Sequence, residues 1–138
     1  MKVNEIMSKK VVQVASVTTL PDVAETMNRE NVGVVPVADD GRLVGIVTDR
    51  DIAVRAVAKR SVDRPVKEVM TPKPITVSPD ASVEFAIETM LENKVRRLVV
   101  VDQGRVVGML SLEDLLEGRV QNELIKALEH FHQQTRHK

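Results

Sequence analysis

Residues 45–51 read Gly-Ile-Val-Thr-Asp-Arg-Asp, and residues 108–114 read Gly-Met-Leu-Ser-Leu-Glu-Asp. In both stretches a short apolar run ends at a hydroxyl residue, and a carboxylate follows three positions later. Ser and Thr are typical of the position that caps a helix N-terminus. The two stretches therefore predict the same strand-to-helix junction at two places in the chain.

These junctions lie within an internal repeat. Val3–Ala53 aligns with Val66–Leu116 without a gap, and 16 of the 51 paired positions are identical. Unrelated segments of ordinary composition would match at roughly a tenth of positions at most. We interpret the chain as a tandem duplication with a first repeat at 1–60, a second repeat at 61–120 and a helical C-terminal extension or tail at 121–138.

Each repeat is predicted to follow the order β-α-β-β-α. Short apolar runs predict the strands, which are Val11–Val14, Val34–Ala38 and Leu43–Val47 in the first repeat and Pro74–Val77, Leu98–Val101 and Val106–Leu110 in the second. Thr19 and Ser82 stand at predicted N-caps. Apolar residues then recur at i, i+3, i+4 and i+7, as a helix buried on one face requires; they are Leu20, Val23, Ala24 and Met27, and then Val83, Ala86, Ile87 and Met90.

The turns and the connection between the repeats complete the predicted fold, which is of the α/β class. Gly41 and Gly104 each supply the positive φ that a tight hairpin turn needs. The connection Lys59–Pro65, about seven residues, is too short for an independent linker. We therefore expect the repeats to pack with approximate two-fold symmetry into one module with two equivalent clefts, a place where binding sites commonly lie.

Composition excludes several classes of function. The 138 residues include no Cys, Trp or Tyr, so thiol nucleophiles and thiolate metal sites are excluded. Lys and Arg number 20 and so do Asp and Glu, which disfavours a dedicated nucleic-acid binder. No run of 18 uncharged apolar residues is present, so we expect a soluble, cytoplasmic protein without a membrane partner.

The repeated junction has two interpretations, which the residue types leave open. In the first it is only a capping box, in which Thr48 and Asp51 bond each other's main-chain N–H groups. In the second the helix N-terminus binds a phosphate, Thr48 adds a donor, and the Asp51 carboxylate accepts both hydroxyls of a ribose. One carboxylate can serve both purposes if it exchanges its local partner for the ribose.

The gapless repeat, the openings Met7-Ser8 and Met70-Thr71-Pro72, and the paired Gly-x-Val-Thr-x-x-Asp junction resemble two cystathionine-β-synthase (CBS) domains forming a Bateman module. The resemblance covers about residues 1–118. It implies a module that binds adenosine-type ligands such as AMP, ADP or ATP, and in some members S-adenosylmethionine or NAD, usually to regulate a partner. It also implies a homodimer.

The resemblance also implies which residues form each nucleotide site. Adenine would contact the first strand of a repeat, largely through the backbone, and ribose and phosphate would contact the junction. In the first cleft these residues are Val12, Val14, Thr48 and Asp51. In the second cleft they are Ile75, Val77, Ser111 and Asp114.

A basic pair, Arg96-Arg97, makes the two clefts unequal. It matches the position from which the family often supplies cations to the phosphate bound at the opposite repeat, so it would serve the Thr48/Asp51 cleft. The first-repeat counterparts, Gly33 and Val34, carry no charge. The alternative is that both Arg side chains are simply solvated at the surface.

The remaining features carry weaker signals. No catalytic or metal-ligating cluster can be assembled, so we predict neither an enzyme nor a metal site. His130 and His132 would point to different helix faces, which indicates a solvated tail that also includes His137. An apolar helical stripe interrupted near Gly118 favours a dimer or partner contact; it comprises Leu112, Leu115, Leu116, Leu124, Ile125, Leu128 and Phe131.

Taken together, these features predict a CBS-pair regulatory module that binds an adenine nucleotide in an inter-repeat cleft and signals by a conformational shift. AMP is the first expected ligand, with ADP and ATP next. The chain would be a homodimer with an unidentified protein target. The alternatives are a ligand-free scaffold or dimerisation module, or a binder of S-adenosylmethionine, NAD or nucleic acid.

Overall fold

A computed structural model describes residues 1–117 and 120–136. It is mixed α/β. The strands are β1 (Val34–Asp39), β2 (Arg42–Thr48), β3 (Thr71–Pro72), β4 (Thr76–Val77), β5 (Arg97–Asp102) and β6 (Arg105–Ser111). The α-helices are α1 (Leu20–Glu30), α2 (Asp49–Ile52), α3 (Val83–Asn93), α4 (Leu112–Glu117) and α5 (Gln121–Arg136).

The chain divides into two compact units. The first unit comprises Val12–Pro74 with Gly104–Val106, and the second comprises Met1–Val11, Ile75–Gln103 and Val107–Lys138. Each unit has its own core, formed mostly by Val and Leu. The first eleven residues therefore belong to the unit that contains most of the second repeat.

In the first unit, β1 and β2 form an antiparallel hairpin, and β3 adds to β2 through the pairs Gly45–Pro72 and Ile46–Thr71. The turn holds Asp40 at φ 51° and Gly41 at φ 81°. Positive φ at both central positions gives the twist that a two-residue hairpin favours. The predicted role of Gly41 is confirmed.

In the second unit, β4 pairs in parallel with β5, which neighbours β6. The turn between β5 and β6 repeats the first, with Gln103 at φ 51° and Gly104 at φ 82°. A 3₁₀ turn at Val3–Glu5 joins this unit, because the N–H of Val3 donates to the carbonyl of Ala81 at 2.9 Å.

The predicted α/β class and the repeated element order are confirmed, with three local corrections. The strand expected at Val11–Val14 is reduced to a single bridge between Val14 and Val37. Ala24 was expected on the buried face of α1, but it is exposed. The helical stretch expected over 112–131, with its apolar stripe interrupted near Gly118, is two separate helices, α4 and α5, and Gly118 lies outside the described residues.

The first helix of each repeat, α1 and α3, begins at its predicted N-cap, but the two caps differ in their hydrogen bonds. The Ser82 side chain accepts a hydrogen bond from the N–H of Phe85 at 3.0 Å. Thr19 has the extended backbone of an N-cap but makes no side-chain cap bond, and its hydroxyl lies 3.4 Å from the Asp22 carboxylate. A cap position is thus kept in both repeats, while the bond that stabilises it is made only at Ser82.

Candidate functional site

The first-unit junction is a complete capping box. The N–H of Asp51 donates to Thr48 Oγ1 at 3.0 Å, and the N–H of Thr48 donates to Asp51 Oδ2 at 3.0 Å. Thr48 ends β2 with an extended backbone, so its hydroxyl can turn back over the first turn of α2. Two main-chain donors that a helix start leaves unpaired are therefore satisfied by one pair of side chains.

The second-unit junction repeats this geometry. The N–H of Ser111 donates to Asp114 Oδ2 at 2.8 Å, and the N–H of Asp114 donates to Ser111 Oγ at 3.2 Å. Ser111 is buried. Both carboxylates are thus held in fixed positions at the end of a strand, and the capping box predicted from the sequence is present twice.

The second carboxylate oxygen has a cationic neighbour at Asp51. Arg55 Nε lies 3.7 Å from Asp51 Oδ1, one helical turn further along the chain. The same guanidinium donates to the carbonyl of Val69 at 2.8 Å. Arg55 therefore orients an oxygen that is not engaged in the cap, and the side chain of Asp51 is 18% exposed. Sequence reasoning missed Arg55, although its i, i+4 spacing from Asp51 is a signal for such a pair.

The residues expected to contact adenine differ in the hydrogen bonding of their main chains. The N–H of Val14 donates to the carbonyl of Pro36 at 3.1 Å, and its carbonyl accepts from Ala38 at 2.9 Å. The main chain of Val14 is thus committed to β1. Among the described residues, no protein group hydrogen-bonds the main chain of Val12, which is half-buried. Val12 is therefore the residue of this segment whose main chain can meet a base.

The second unit has the same alternation. Val77 is buried and pairs with Val100 across β4 and β5, as Val14 pairs with Val37. Ile75, the counterpart of Val12, is 41% exposed and directly precedes β4. Ile75 and Val12 thus occupy equivalent positions in their own units.

Arg96 and Arg97 lie beside the second-unit junction. The carbonyl of Arg96 accepts the N–H of Leu112, the first residue of α4, at 2.9 Å. The pKa of Glu113 is lowered chiefly by a hydrogen bond from its own main-chain N–H, then by Ser111, and further by the charges of Arg97 and Arg96. Both cations therefore act on the start of α4. Their assignment to a nucleotide held by Asp51 stays a prediction.

The C-terminal extension is anchored to α3. Nδ1 of His130 lies 2.6 Å from Oε1 of Glu88, and Nε2 of Gln134 lies 3.2 Å from the other ring nitrogen. His130 is solvent-exposed as expected, with half of its side chain accessible, but it does not lie on an unattached tail, because α5 packs against α3 and brings the imidazole to Glu88. His137 lies outside the described residues.

Two further observations concern metals and membranes. Within the residues whose placement is described, no group of three or more His, Asp and Glu side chains could hold a metal ion. No helix in that part of the chain is both long enough and apolar enough to cross a membrane.

The repeated junction and the two units agree with comparisons to known proteins. The family model "CBS domain" matches residues 3–57 and again residues 66–120. The chain belongs to the CBS-domain family. The resemblance seen in the sequence is thus confirmed, and each repeat is one CBS domain.

Similar CBS proteins include a relative from Bacillus subtilis and a solved complex with a ligand. The chain is 38% identical to the CBS domain-containing protein YhcV of Bacillus subtilis, covering 88% of this chain and 87% of YhcV. It is 32% identical to the CBS domain protein PAE2072 of Pyrobaculum aerophilum, solved with AMP, at a TM-score of 0.81 over 91% of this chain and 99% of that one.

A third similar protein was solved with other adenosine compounds. The CBS domain pair of protein MJ0100, in complex with 5′-methylthioadenosine and S-adenosyl-L-methionine, is 31% identical at a TM-score of 0.75. The match covers 84% of this chain and 93% of that one. CBS-pair proteins similar to this chain therefore bind adenosine-type ligands of more than one charge.

Proposed function

We propose that this CBS pair is a regulatory module that binds an adenine nucleotide, with AMP as the first ligand. The observation that carries the proposal is the capping box made by Thr48 and Asp51 and made again by Ser111 and Asp114. A carboxylate held at this place can accept the two hydroxyls of a ribose, and the adjacent helix start favours an anion.

The base would bind without aromatic stacking. The chain has no Trp or Tyr and only two Phe, one on α3 and one on α5. We infer that adenine lies against aliphatic side chains and forms its polar contacts with main chain at Val12 or Ile75. The support for this inference is that the main chain of Val12 carries no hydrogen bond among the described residues, whereas Val14 hydrogen-bonds to β1 through both its N–H and its carbonyl. Ile75 occupies the equivalent position in the second unit.

The capping bonds hold the two carboxylates ready for a ligand. Asp51 and Asp114 each accept a main-chain N–H through Oδ2, which fixes the side chain, and the cap leaves Oδ1 for a ribose hydroxyl. A ligand that favours one arrangement of the protein can shift its population by no more than the difference between its affinities for the two arrangements. We propose that such a shift is read by a second copy of the chain or by a protein target.

The test is a direct measurement of bound nucleotide. With no Trp or Tyr the protein absorbs little at 280 nm, so adenine co-purifying with it would dominate the ultraviolet spectrum. Isothermal titration calorimetry of the nucleotide-free protein with AMP, ADP, ATP and S-adenosyl-L-methionine then ranks the ligands. We expect saturable binding, tightest for AMP. The absence of heat with all four would overturn the proposal and favour a scaffold.

A variant pair separates ligand binding from helix capping. Thr48→Ser keeps the hydroxyl and reproduces the residue found at Ser111, so AMP affinity should stay within a few-fold of the wild type. Thr48→Ala removes both the cap acceptor and the donor to the ligand, and should lower stability by about 1 kcal/mol as well as weakening AMP. If Thr48→Ala lowers stability and leaves AMP affinity intact, the hydroxyl serves only the cap.

A further inference from the structure

The second unit has an open-sided cavity whose apolar walls take no part in the nucleotide proposal, although Arg96 at its rim belongs to the pair that the family resemblance assigns to the phosphate. Its volume is about 340 Å³. An engineered cavity of about 150 Å³ in another protein binds benzene, a molecule of six carbons, so this one offers room for roughly thirteen non-hydrogen atoms, about the number in a ten-carbon carboxylate. Apolar side chains of α3, α4 and α5 form most of its walls, and two basic side chains stand at its rim. The lining comprises Ile87, Met90, Leu91, Lys94, Val95, Arg96, Leu112, Leu115 and Leu124.

The first unit provides the natural comparison, because it has a cavity at the repeat-equivalent place. That cavity measures about 310 Å³ and is lined by Met27, Asn28, Asn31, Val32, Gly33 and Asp49. The alignment pairs Asn28 with Leu91 and Asp49 with Leu112. The fold therefore accepts polar and acidic residues at these positions, and the leucines of the second unit are not required by the architecture.

The two cavities also differ in charge. Lys94 replaces Asn31, and Arg96 replaces Gly33, at the rim of the second-unit cavity. Within residues 1–117 and 120–136, no carboxylate lies at ion-pair distance from either cation. With Asp49 replaced by Leu112, the rim of this cavity has gained two positive charges and lost one negative charge relative to its counterpart.

Lys94 occupies its place against a backbone preference. It ends α3 in the left-handed region at φ 55°, as Asn31 ends α1 at φ 54°. Asn tolerates this conformation far better than Lys does. The N–H of Leu112 donates to the carbonyl of Arg96 at 2.9 Å, which fixes the other cation to the start of α4. Both rim cations are thus attached to ordered backbone.

From the apolar walls and the cationic rim, we propose that this cavity binds a straight-chain aliphatic carboxylate of about ten carbons, with its tail against the leucines and its head at Lys94 and Arg96. Leu124 of α5 closes one side, and α5 lies beyond the second CBS domain, which ends at residue 120. The site is therefore built from the repeat and the C-terminal helix together, and the lining of the first-unit cavity has no counterpart of Leu124.

The experiment uses decanoate and the methionine methyl signals of the whole protein. Met90 lines the second-unit cavity and Met27 lines its counterpart, so each reports on one unit. Sodium decanoate, kept below its micelle concentration, should shift the Met90 methyl resonance saturably and leave Met27 unchanged. 1-Decanol, which lacks the charge, should bind about tenfold more weakly.

Variants that restore first-unit residues provide the decisive comparison. Leu112→Asp and Lys94→Asn each introduce the residue that the first repeat carries at the equivalent position. Each should weaken the binding of decanoate about tenfold, while a dispersed methyl spectrum shows that the variant is folded. Asp49→Leu in the first unit is the matched control and should leave the Met90 response unchanged. No Met90 shift, equal shifts at Met27 and Met90, or full binding by Leu112→Asp would each overturn the proposal.

Discussion

The two units share one junction and differ in what surrounds it. In both, a Ser or Thr and an Asp bond each other's main chain at distances between 2.8 and 3.2 Å. In the first unit Asp51 faces Arg55, and the nearby cavity is lined by Asn and Asp side chains. In the second unit Arg96, Arg97 and a leucine-lined cavity lie beside the junction.

This difference separates two kinds of constraint. Groups that satisfy the backbone, such as the cap pair and the turn glycines, are the same in both repeats because any chain with this fold must satisfy them. The residues that line the two cavities differ, because the fold does not depend on them. Comparison of the repeats thus separates residues that the backbone requires from residues that only line a cavity.

The largest expected effect is on nucleotide affinity at Asp51. Asp51→Ala should weaken AMP binding about a hundredfold, because two charged hydrogen bonds to ribose are worth roughly 1.5 kcal/mol each. Asp114→Ala should weaken it less, since the resemblance assigns the Arg pair to the nucleotide of Asp51. Calorimetric titration measures both, and equal or reversed losses would remove the asymmetry between the units.

The next effect concerns stability and should be equal in the two units. A Cβ on Gly45 would contact the Met70 side chain and come within 3.0 Å of the Thr71 carbonyl, and a Cβ on Gly108 would meet Met7 and the Ser8 carbonyl in the same way. Because a carbonyl in a strand pair cannot move freely, Gly45→Ala and Gly108→Ala should each cost about 2 kcal/mol of unfolding free energy.

Gly33→Ala is the control for these glycine variants. Its Cβ would meet only the Asp49 carboxylate, at 3.0 Å, and that exposed side chain can rotate away. Urea unfolding followed by circular dichroism should show a shift smaller than 1 kcal/mol. A loss at Gly33 as large as the loss at Gly45 would mean that glycine itself, and not the nearby carbonyl, is what each site needs.

A further prediction tests the phosphate role of the Arg pair. Arg97→Ala should lower the affinity for AMP about tenfold and leave the affinity for adenosine nearly unchanged, because only AMP carries a phosphate charge that the guanidinium can bind. Arg29→Ala, at an exposed position on α1, is the matched control and should alter neither. Equal losses for AMP and adenosine would assign Arg97 to the structure of the site.

The two helix caps predict a smaller contrast. Ser82→Ala removes a bond to the N–H of Phe85 and should cost about 1 kcal/mol, whereas Thr19→Ala removes no cap bond and should cost only a few tenths. Urea midpoints measured on both variants give the comparison. A loss at Thr19 that matches the loss at Ser82 would show that the threonine cap bond forms in solution.

The smallest effect is a dependence on pH. The pKa of Asp39 is lowered from 3.8 mainly by the Ser16 N–H, at 2.9 Å, and slightly by Lys67. A lowered folded-state pKa gives stability that is present above the unfolded pKa and is lost as pH falls through the folded value. Asp39→Asn should therefore destabilise the protein more at pH 7 than near pH 3.

The counterpart of Asp39 provides the control for this pH effect. Asp102 aligns with it, but Pro79 aligns with Ser16 and has no N–H to donate. Asp102→Asn should therefore change urea stability by a similar small amount at both pH values. A pH-dependent difference of the same size at Asp102 would mean that the Ser16 bond is not its source.

The sequence predicts the elements whose cause is local. The hairpin strands, both turns and the two capping boxes depend on residues within a few positions of one another, and all are confirmed. The prediction of a strand at Val11–Val14 is wrong because the length of this strand depends on pairing with β1, which is distant in the chain and bridges only to Val14. The strand Thr71–Pro72 is missed because Pro is disfavoured in strands.

The candidate site likewise has a part that local sequence predicts and a part that it does not. Thr48, Asp51, Ser111 and Asp114 follow from spacing alone. The second-unit cavity is missed because its leucines come from helices far apart in the chain. The signal was nevertheless in the alignment, since Asn28 against Leu91 and Asp49 against Leu112 exchange polar for apolar residues at matched positions.

The placement of the first eleven residues has a consequence for synthesis. Val3 is fully buried in the core of the second unit, and its main chain bonds Ala81. During translation, N-terminal segments leave the ribosome first and folding generally proceeds with them. Here that order is reversed for Met1–Val11, which must wait until Ile75–Gln103 has been made. Residues 1–11 are therefore synthesised well before the segment on which their native contacts depend.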